Sequence, residues 1–183
     1  VGYPRVSYRE ECPDDMASKQ YVQRFLDATK ADMFFANRLI FVEGIAEELL
    51  LPVFARYLGK DLTDEHVLVV NMGGRYFKHF LKLFDTNNQN TINKKIVCLT
   101  DIDPCRKKKE SGESYEACYP YEYNIDVDNY DYKHHADTEV DQYANHPNIR
   151  FYRQDATYGK TLEYDLMHEN PNCELLLTDS VSN

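Results

Sequence analysis

The sequence predicts an α/β fold with a mainly parallel central sheet, flanking helices and a long insertion after the third strand. Two observations carry this expectation. Three short runs, "RLIFVE", "HVLVVNM" and "KKIVCLTDID", are apolar on nearly every residue, as strands covered on both faces are. The segments between them have helical spacing and short connections, giving a βαβ progression.

The opening "VGYPRVSYREECPDD" is polar and lacks periodicity, so it reads as a tail or the end of something larger. A helix follows, with Tyr21, Val22, Phe25, Leu26 and Ala28 at helical spacing and Asp15 or Ser18 as N-cap. After the first strand, "IAEELLLPVFARYLG" reads as a helix. Pro52 marks a kink or boundary inside it, and Gly59 ends it. The second strand leads to "GGRYFKHFLKLFD", a helix opening on a glycine pair, and the third strand ends in acids. From Arg106 to His146 the chain is charged, tyrosine-rich and weakly periodic, and reads as a long insertion over one end of the sheet. "NIRFYR" restores a short strand, and "GKTLEYDLMHE" starts a helix with Thr161 near its cap. The final "LLLTDSVSN" is an apolar stretch with no partner in view, so both ends read as cut from a larger protein. The expected division is a linker and helix over 1–36, a catalytic domain over 37–170 with its insertion at 106–146, and a truncated segment over 171–183.

The chain has 183 residues with 43% apolar composition, enough for a core, and a formal charge of -10. That charge excludes a general polycation, so nucleic acid would have to be met through a local basic patch or bound cations. No apolar run approaches the roughly 18 to 20 residues that span a bilayer, and no signal pattern opens the chain. A soluble cytoplasmic protein, without membrane contact, is expected. The cysteines at 12, 98, 105, 118 and 173 are odd in number and irregularly spaced, which argues against a disulfide framework. Cys105, Cys118 and the His134–His135 pair could form a zinc site but lack paired-ligand spacing. Free thiols and surface histidines are the preferred reading.

In a parallel α/β sheet, functional groups gather beyond the C-terminal strand ends. Three acidic elements fall there. Glu43 ends the first strand, with Glu47 on the same face of the next helix. Asp101 and Asp103 end the third strand and project to one side. Glu163 and Asp165 follow the last strand. Converging carboxylates repel one another unless a cation sits among them, and Mg²⁺ takes carboxylate oxygens while keeping several waters. Each element also has an ordinary reading. Glu43 can be a helix N-terminal acid, Asp-x-Asp-Pro a strand exit, and "TLE" part of a capping box.

The segments "FFANRLIFVEGIAEELLLP", "VNMGGRYF", "LTDIDP" and "KTLEYDL" resemble the Toprim domain of OLD-family (overcoming lysogenisation defect) ATP-dependent endonucleases, a Rossmann-like fold. The resemblance runs from Arg24 to His168, with the insertion poorly matched. It implies DNA cleavage or nicking with two divalent ions, Mg²⁺ or Mn²⁺. Glu43, Glu47, Asp101, Asp103 and Glu163 would be the ligands, undivided between the ions, and Glu43 could also act in proton transfer. Gly73 and Gly74 match the family's glycine turn, and Gly44 would let the chain turn beside Glu43. Thr161 and Asp165 receive no fixed role. Arg106, Lys107, Lys108 and Lys109 suit phosphate contact, or else form a solvated charged loop.

The family's N-terminal ABC-type ATPase would be a partner domain, since no G-x-x-x-x-G-K-[ST] element, and hence no ATP site, occurs here. Its catalytic lysine beyond "TLE" has no counterpart after Lys160 and is expected beyond the chain's end. DNA is the expected substrate and a homodimer a candidate assembly. The alternatives are a Mg²⁺-dependent phosphatase of the haloacid dehalogenase type and an inactive Toprim-shaped interaction module. The first would place Asp-x-Asp after its first strand rather than its third.

Overall fold

A computed structural model of the chain describes residues 12–26, 31–88, 90–110 and 112–174. The N-terminal tail, Ala28 and the closing leucine-rich stretch lie outside the described residues. The chain divides into two compact units, Val1–Thr100 with Val140–Tyr152, and Asp101–Glu139 with Arg153–Asn183.

The first unit is built on a four-stranded parallel sheet in the order β2-β1-β3-β7, the architecture expected from its apolar runs. Its strands are β1 (Arg38–Val42), β2 (Val67–Asn71), β3 (Lys95–Leu99) and β7 (Ile149–Tyr152). Leu39, Phe41, Ile96, Cys98 and Ile149 are almost completely buried. Phe41 meets Phe80 and Phe84 edge-on, with ring centroids 6.4 and 6.1 Å apart, the arrangement aromatic quadrupoles favour.

Helix α1 spans Pro13–Leu26, which corrects the expected cap. Its first bonds run from the Asp15 and Met16 N–H groups to the Cys12 carbonyl, at 3.0 and 3.1 Å. Pro13 therefore occupies the first helical position, where a missing N–H costs nothing. Asp15 and Ser18 are instead buried inside the helix. Asp15 pairs with Lys82 at 2.6 Å, and the Ser18 hydroxyl lies 2.8 Å from the Asp14 carbonyl and 2.9 Å from His79 Nδ1.

Helix α2 (Ile45–Tyr57) runs through Pro52 without ending there. Its end is fixed by Gly59, at φ 75°. The Gly59 N–H reaches the Arg56 carbonyl and the Lys60 N–H reaches the Ala55 carbonyl, both at 2.9 Å. This Schellman arrangement needs a left-handed residue. Helix α3 covers only Phe77–Leu81, shorter than its sequence pattern. Beyond it the Leu83 and Phe84 N–H groups bond three residues back at 2.9 Å, so the apolar side chains stay buried in tighter turns. Before β1, the Lys94 ammonium donates to the Met33 carbonyl at 3.2 Å, the Phe34 carbonyl at 2.7 Å and the Ala36 carbonyl.

The second unit gives the weakly periodic insertion a regular structure. It holds a three-stranded antiparallel sheet, order β5-β4-β6, from β4 (Pro104–Lys108), β5 (Glu116–Ala117) and β6 (Tyr130–His134). In β6 the partly or fully buried Tyr130, Tyr132 and His134 alternate with exposed Asp131 and Lys133. That is a period-two pattern, but carried by tyrosine and histidine rather than aliphatic residues. His134 is buried, not a surface histidine, and Cys105 and Cys118 are buried free thiols. Short helices α4 (Asp137–Gln142) and α5 (Leu162–Glu169) complete the elements. No helix among the described residues is long and apolar enough to cross a membrane.

Burial, aided by Lys78 and Lys82, holds the His79 imidazole below its ordinary pKa. Burial also lowers His134, against the opposing pull of Asp137. The unfolded chain therefore binds protons that the folded chain resists, and stability should fall with pH from about 6.5 downward. The thermal midpoint is expected to drop between pH 7 and about 5.5, with a shallower slope in His79→Gln. An unchanged slope in that variant would remove His79 as a source.

Candidate functional site

In the first unit, the parallel register sets Phe41 beside Cys98. Carried two residues further, it sets Glu43 beside Thr100. The Thr100 hydroxyl donates to Glu43 Oε1, so the carboxylate at this strand tip is an acceptor in a fixed orientation. Thr100 is only 5% exposed, and its own N–H is held by the Tyr152 carbonyl at 3.0 Å. On the other side, the Met72 N–H meets the Val42 carbonyl at 2.8 Å and the Gly74 N–H meets the Glu43 carbonyl at 2.7 Å. The β1–β2 ladder thus continues past both strands into the glycine pair. Gly73 and Gly74 sit at φ 70° and 122°, conformations that a side chain would strain.

Glu47 folds back along α2, and its Oε2 accepts the Gly44 N–H at 3.1 Å, one arm of a capping box. Gly44 itself is extended, at φ -135°, so its backbone does not demand glycine. A Cβ there would meet Glu47 Oε2 at 3.0 Å, which makes the glycine a matter of room for the carboxylate rather than of turning.

In the second unit, Asp101 Oδ1 accepts from Gln154 Nε2 at 2.6 Å and from the Leu162 N–H at 3.2 Å. Gln154 Oε1 accepts the Ile102 N–H at 2.7 Å. Because one end of this amide must accept and the other must donate, its orientation is fixed. Asp103 lies in the left-handed region at φ 43°, and its N–H reaches the Lys160 carbonyl at 3.3 Å. Glu163 is exposed in the first turn of α5. Thr161 is the cap of α5, its hydroxyl accepting the Tyr164 N–H at 3.2 Å. Asp165 accepts the Lys160 N–H at 3.0 Å, and burial raises its pKa against that bond.

Two residues of the basic run, Arg106 and Lys109, are held by groups of the chain itself. Arg106 pairs with Glu116 at 3.0 Å and Glu122 at 3.3 Å, and lies over the Tyr130 ring. Lys109 donates to the Val127 carbonyl at 2.6 Å. Lys107 is half-buried in β4 and Lys108 exposed at its end.

Chemically, an all-oxygen set of carboxylates suits a hard divalent cation. Among the described residues, no group of three or more His, Cys, Asp or Glu side chains is arranged to hold a metal ion. That holds for the zinc arrangement from Cys105, Cys118 and the histidines and equally for the acids Glu43, Glu47, Asp101, Asp103 and Glu163. Sequence reading missed three supports. Thr100 was legible only as the residue before Asp101, and Gln154 carries no motif. Gly159 is buried, and a Cβ on it would lie 2.4 Å from Gln154 Cβ and 2.6 Å from the Asp155 carbonyl oxygen. It thus shapes the turn that presses on Gln154.

Residues 34–103 match the family model described as overcoming lysogenization defect protein-like, TOPRIM domain, in agreement with the resemblance read from the residues. Among solved structures, the C-terminal region of the Burkholderia pseudomallei OLD protein is 34% identical, over 42% of this chain and 35% of that one, with a TM-score of 0.35. The C-terminal region of the Xanthomonas campestris pv. campestris OLD protein is 20% identical, over 84% of this chain and 69% of that one, with a TM-score of 0.41. The first of these matches spans about a third of the Burkholderia region's length. No curated protein matches the chain.

Gly159→Ala is expected to destabilise the fold by about 2 kcal/mol, in the range that overpacking produces. A urea midpoint indistinguishable from the parent would show that the turn can yield.

Proposed function

We propose that this chain, whose residues 34–103 match the OLD-like Toprim family, is the Toprim part of a larger nuclease that cleaves or nicks DNA with divalent cations. The observation that carries the reading is that the matched segment encloses Glu43, Glu47, Asp101 and Asp103. Glu163, just outside it, completes the proposed set of ligands for Mg²⁺ or Mn²⁺, two ions by the family's pattern. Such ions, when bound, stabilise the attacking and leaving oxygens of a phosphodiester.

The chain's own residues prepare the carboxylates. Thr100 holds Glu43 as a hydrogen-bond acceptor, and a carboxylate in that state can take a proton from an attacking water. Gln154 and the Leu162 N–H hold Asp101 as an acceptor in the same way. Glu47, now on the Gly44 N–H, would trade that bond for a cation. Asp165 and Thr161 shape the start of α5 rather than bind. In the full protein an ABC-type ATPase domain would precede this part, a homodimer is a candidate assembly, and a cytoplasmic setting follows from a DNA substrate.

The test is supercoiled plasmid incubated with Mg²⁺, Mn²⁺ or Ca²⁺ and the chain, or the chain extended at both ends. Nicking or linearisation by the extended protein is expected, with a loss of about 100-fold in Asp101→Ala, the upper end of what even the partners of metal ligands contribute. Turnover of a small phosphomonoester without DNA cleavage would instead favour the phosphatase. An extended protein that binds Mn²⁺ but cuts nothing would favour the interaction module.

A further inference from the structure

The tyrosine-rich insertion supplies a surface that the acids do not use. Tyr119 and Tyr121 stack with ring centroids 5.3 Å apart and planes 10° apart. Tyr119 continues to Tyr164 at 6.3 Å, Tyr164 to His168 at 6.1 Å, and His168 to Tyr158 at 5.4 Å, the last two pairs within 15° of parallel. The Lys160 ammonium sits 3.5 Å from the Tyr119 ring centroid. All five rings and the lysine belong to the second unit.

This row stands out for its exposure. Tyr121 is 68% exposed at its open end, where packing between protein rings leaves the last face uncovered. It is also rigid. Pro120 separates the two leading tyrosines, Glu122 Oε2 accepts the Tyr119 N–H at 2.8 Å, and Arg106 holds the other oxygen of Glu122 at 3.3 Å. The Arg106 guanidinium thus braces the turn that presents the rings. The row also adjoins the proposed ligands. Tyr164 follows Glu163 in α5, and Leu162, two residues earlier, donates to Asp101.

We infer that this aromatic row is a stacking platform for the unpaired bases of single-stranded DNA beside the Asp-x-Asp acids. The inference rests on the nuclease reading and narrows its substrate to DNA that is single-stranded or locally opened. An exposed ring offers a base the same face-to-face contact that it offers another ring, whatever the base. Lys160 places one positive charge at the row, enough for a single phosphate. With a formal charge of -10 over the chain, affinity must come from bases rather than from the backbone, so its dependence on salt should be shallow.

The experiment is fluorescence anisotropy of a labelled twelve-nucleotide oligothymidine with the full chain in Ca²⁺, against an abasic oligomer and a duplex of equal length. Oligothymidine is expected to bind about tenfold more tightly than the abasic strand, with a loss of about tenfold in Tyr121→Ala and retention in Tyr121→Phe, the scale of one base-aromatic stack. Equal binding of the thymidine and abasic strands, or an unchanged Tyr121→Ala, would overturn the platform. If the extended protein still cuts plasmid in that case, the nuclease reading stands without it. If neither strand nor duplex is bound and nothing is cut, both fall.

Discussion

The parallel pairing of β1 with β3 is the constraint on which the first unit depends. Parallel strands cannot be joined by a tight turn, so each must be reached through a crossover, and their C-terminal ends come out on one edge. Here that edge carries Glu43, and its neighbour across the sheet is Thr100. A shift of one residue in register would turn Thr100 to the other face, leaving Glu43 without its donor. The burial of Phe41, Ile96 and Cys98 opposes such a shift, because it would bring the alternate residues inward. The same apolar contacts that stabilise the sheet therefore aim the carboxylate.

Around the second unit's acids the support is polar rather than apolar. Asp101 is held by a side-chain amide and a backbone N–H, and Gln154 itself rests on the turn closed by Gly159. Hydrogen bonds to a carboxylate fix the direction in which its oxygens point. Thr100 acts on Glu43 by the same physics, though through a hydroxyl.

Much of the first unit was legible because its signals are local. A run such as "LIFV" buries both faces as an inner strand, as β1 does between β2 and β3, and Gly59 could end a helix as a left-handed residue wherever it packed. The acids at strand tips were legible as positions, since strand ends are visible in the pattern. Their partners were not. Gln154 looks like any polar loop residue until Ile102 is beside it. The antiparallel sheet was missed because Tyr130, Tyr132 and His134 alternate in burial without alternating strongly in hydrophobicity. The first helix was placed too late because Asp15 and Ser18 look like caps, whereas Pro13 marks the start. Glu47 shows how one residue can satisfy two readings, since the carboxylate proposed as a ligand is also a helix-capping group.

Asp103 carries a consequence for how substitutions at the acids are to be read. Its backbone lies at φ 43°, a region that aspartate and asparagine enter more easily than most side chains. Asp103→Asn removes the charge and leaves the backbone where it is, whereas Asp103→Ala removes the charge and also strains the chain. A defect in the alanine variant thus has two causes mixed together, and only the asparagine variant isolates the carboxylate. At Asp101 the same distinction arises from hydrogen bonds rather than the backbone, since alanine also leaves Gln154 and the Leu162 N–H without their acceptor whereas asparagine keeps an oxygen there.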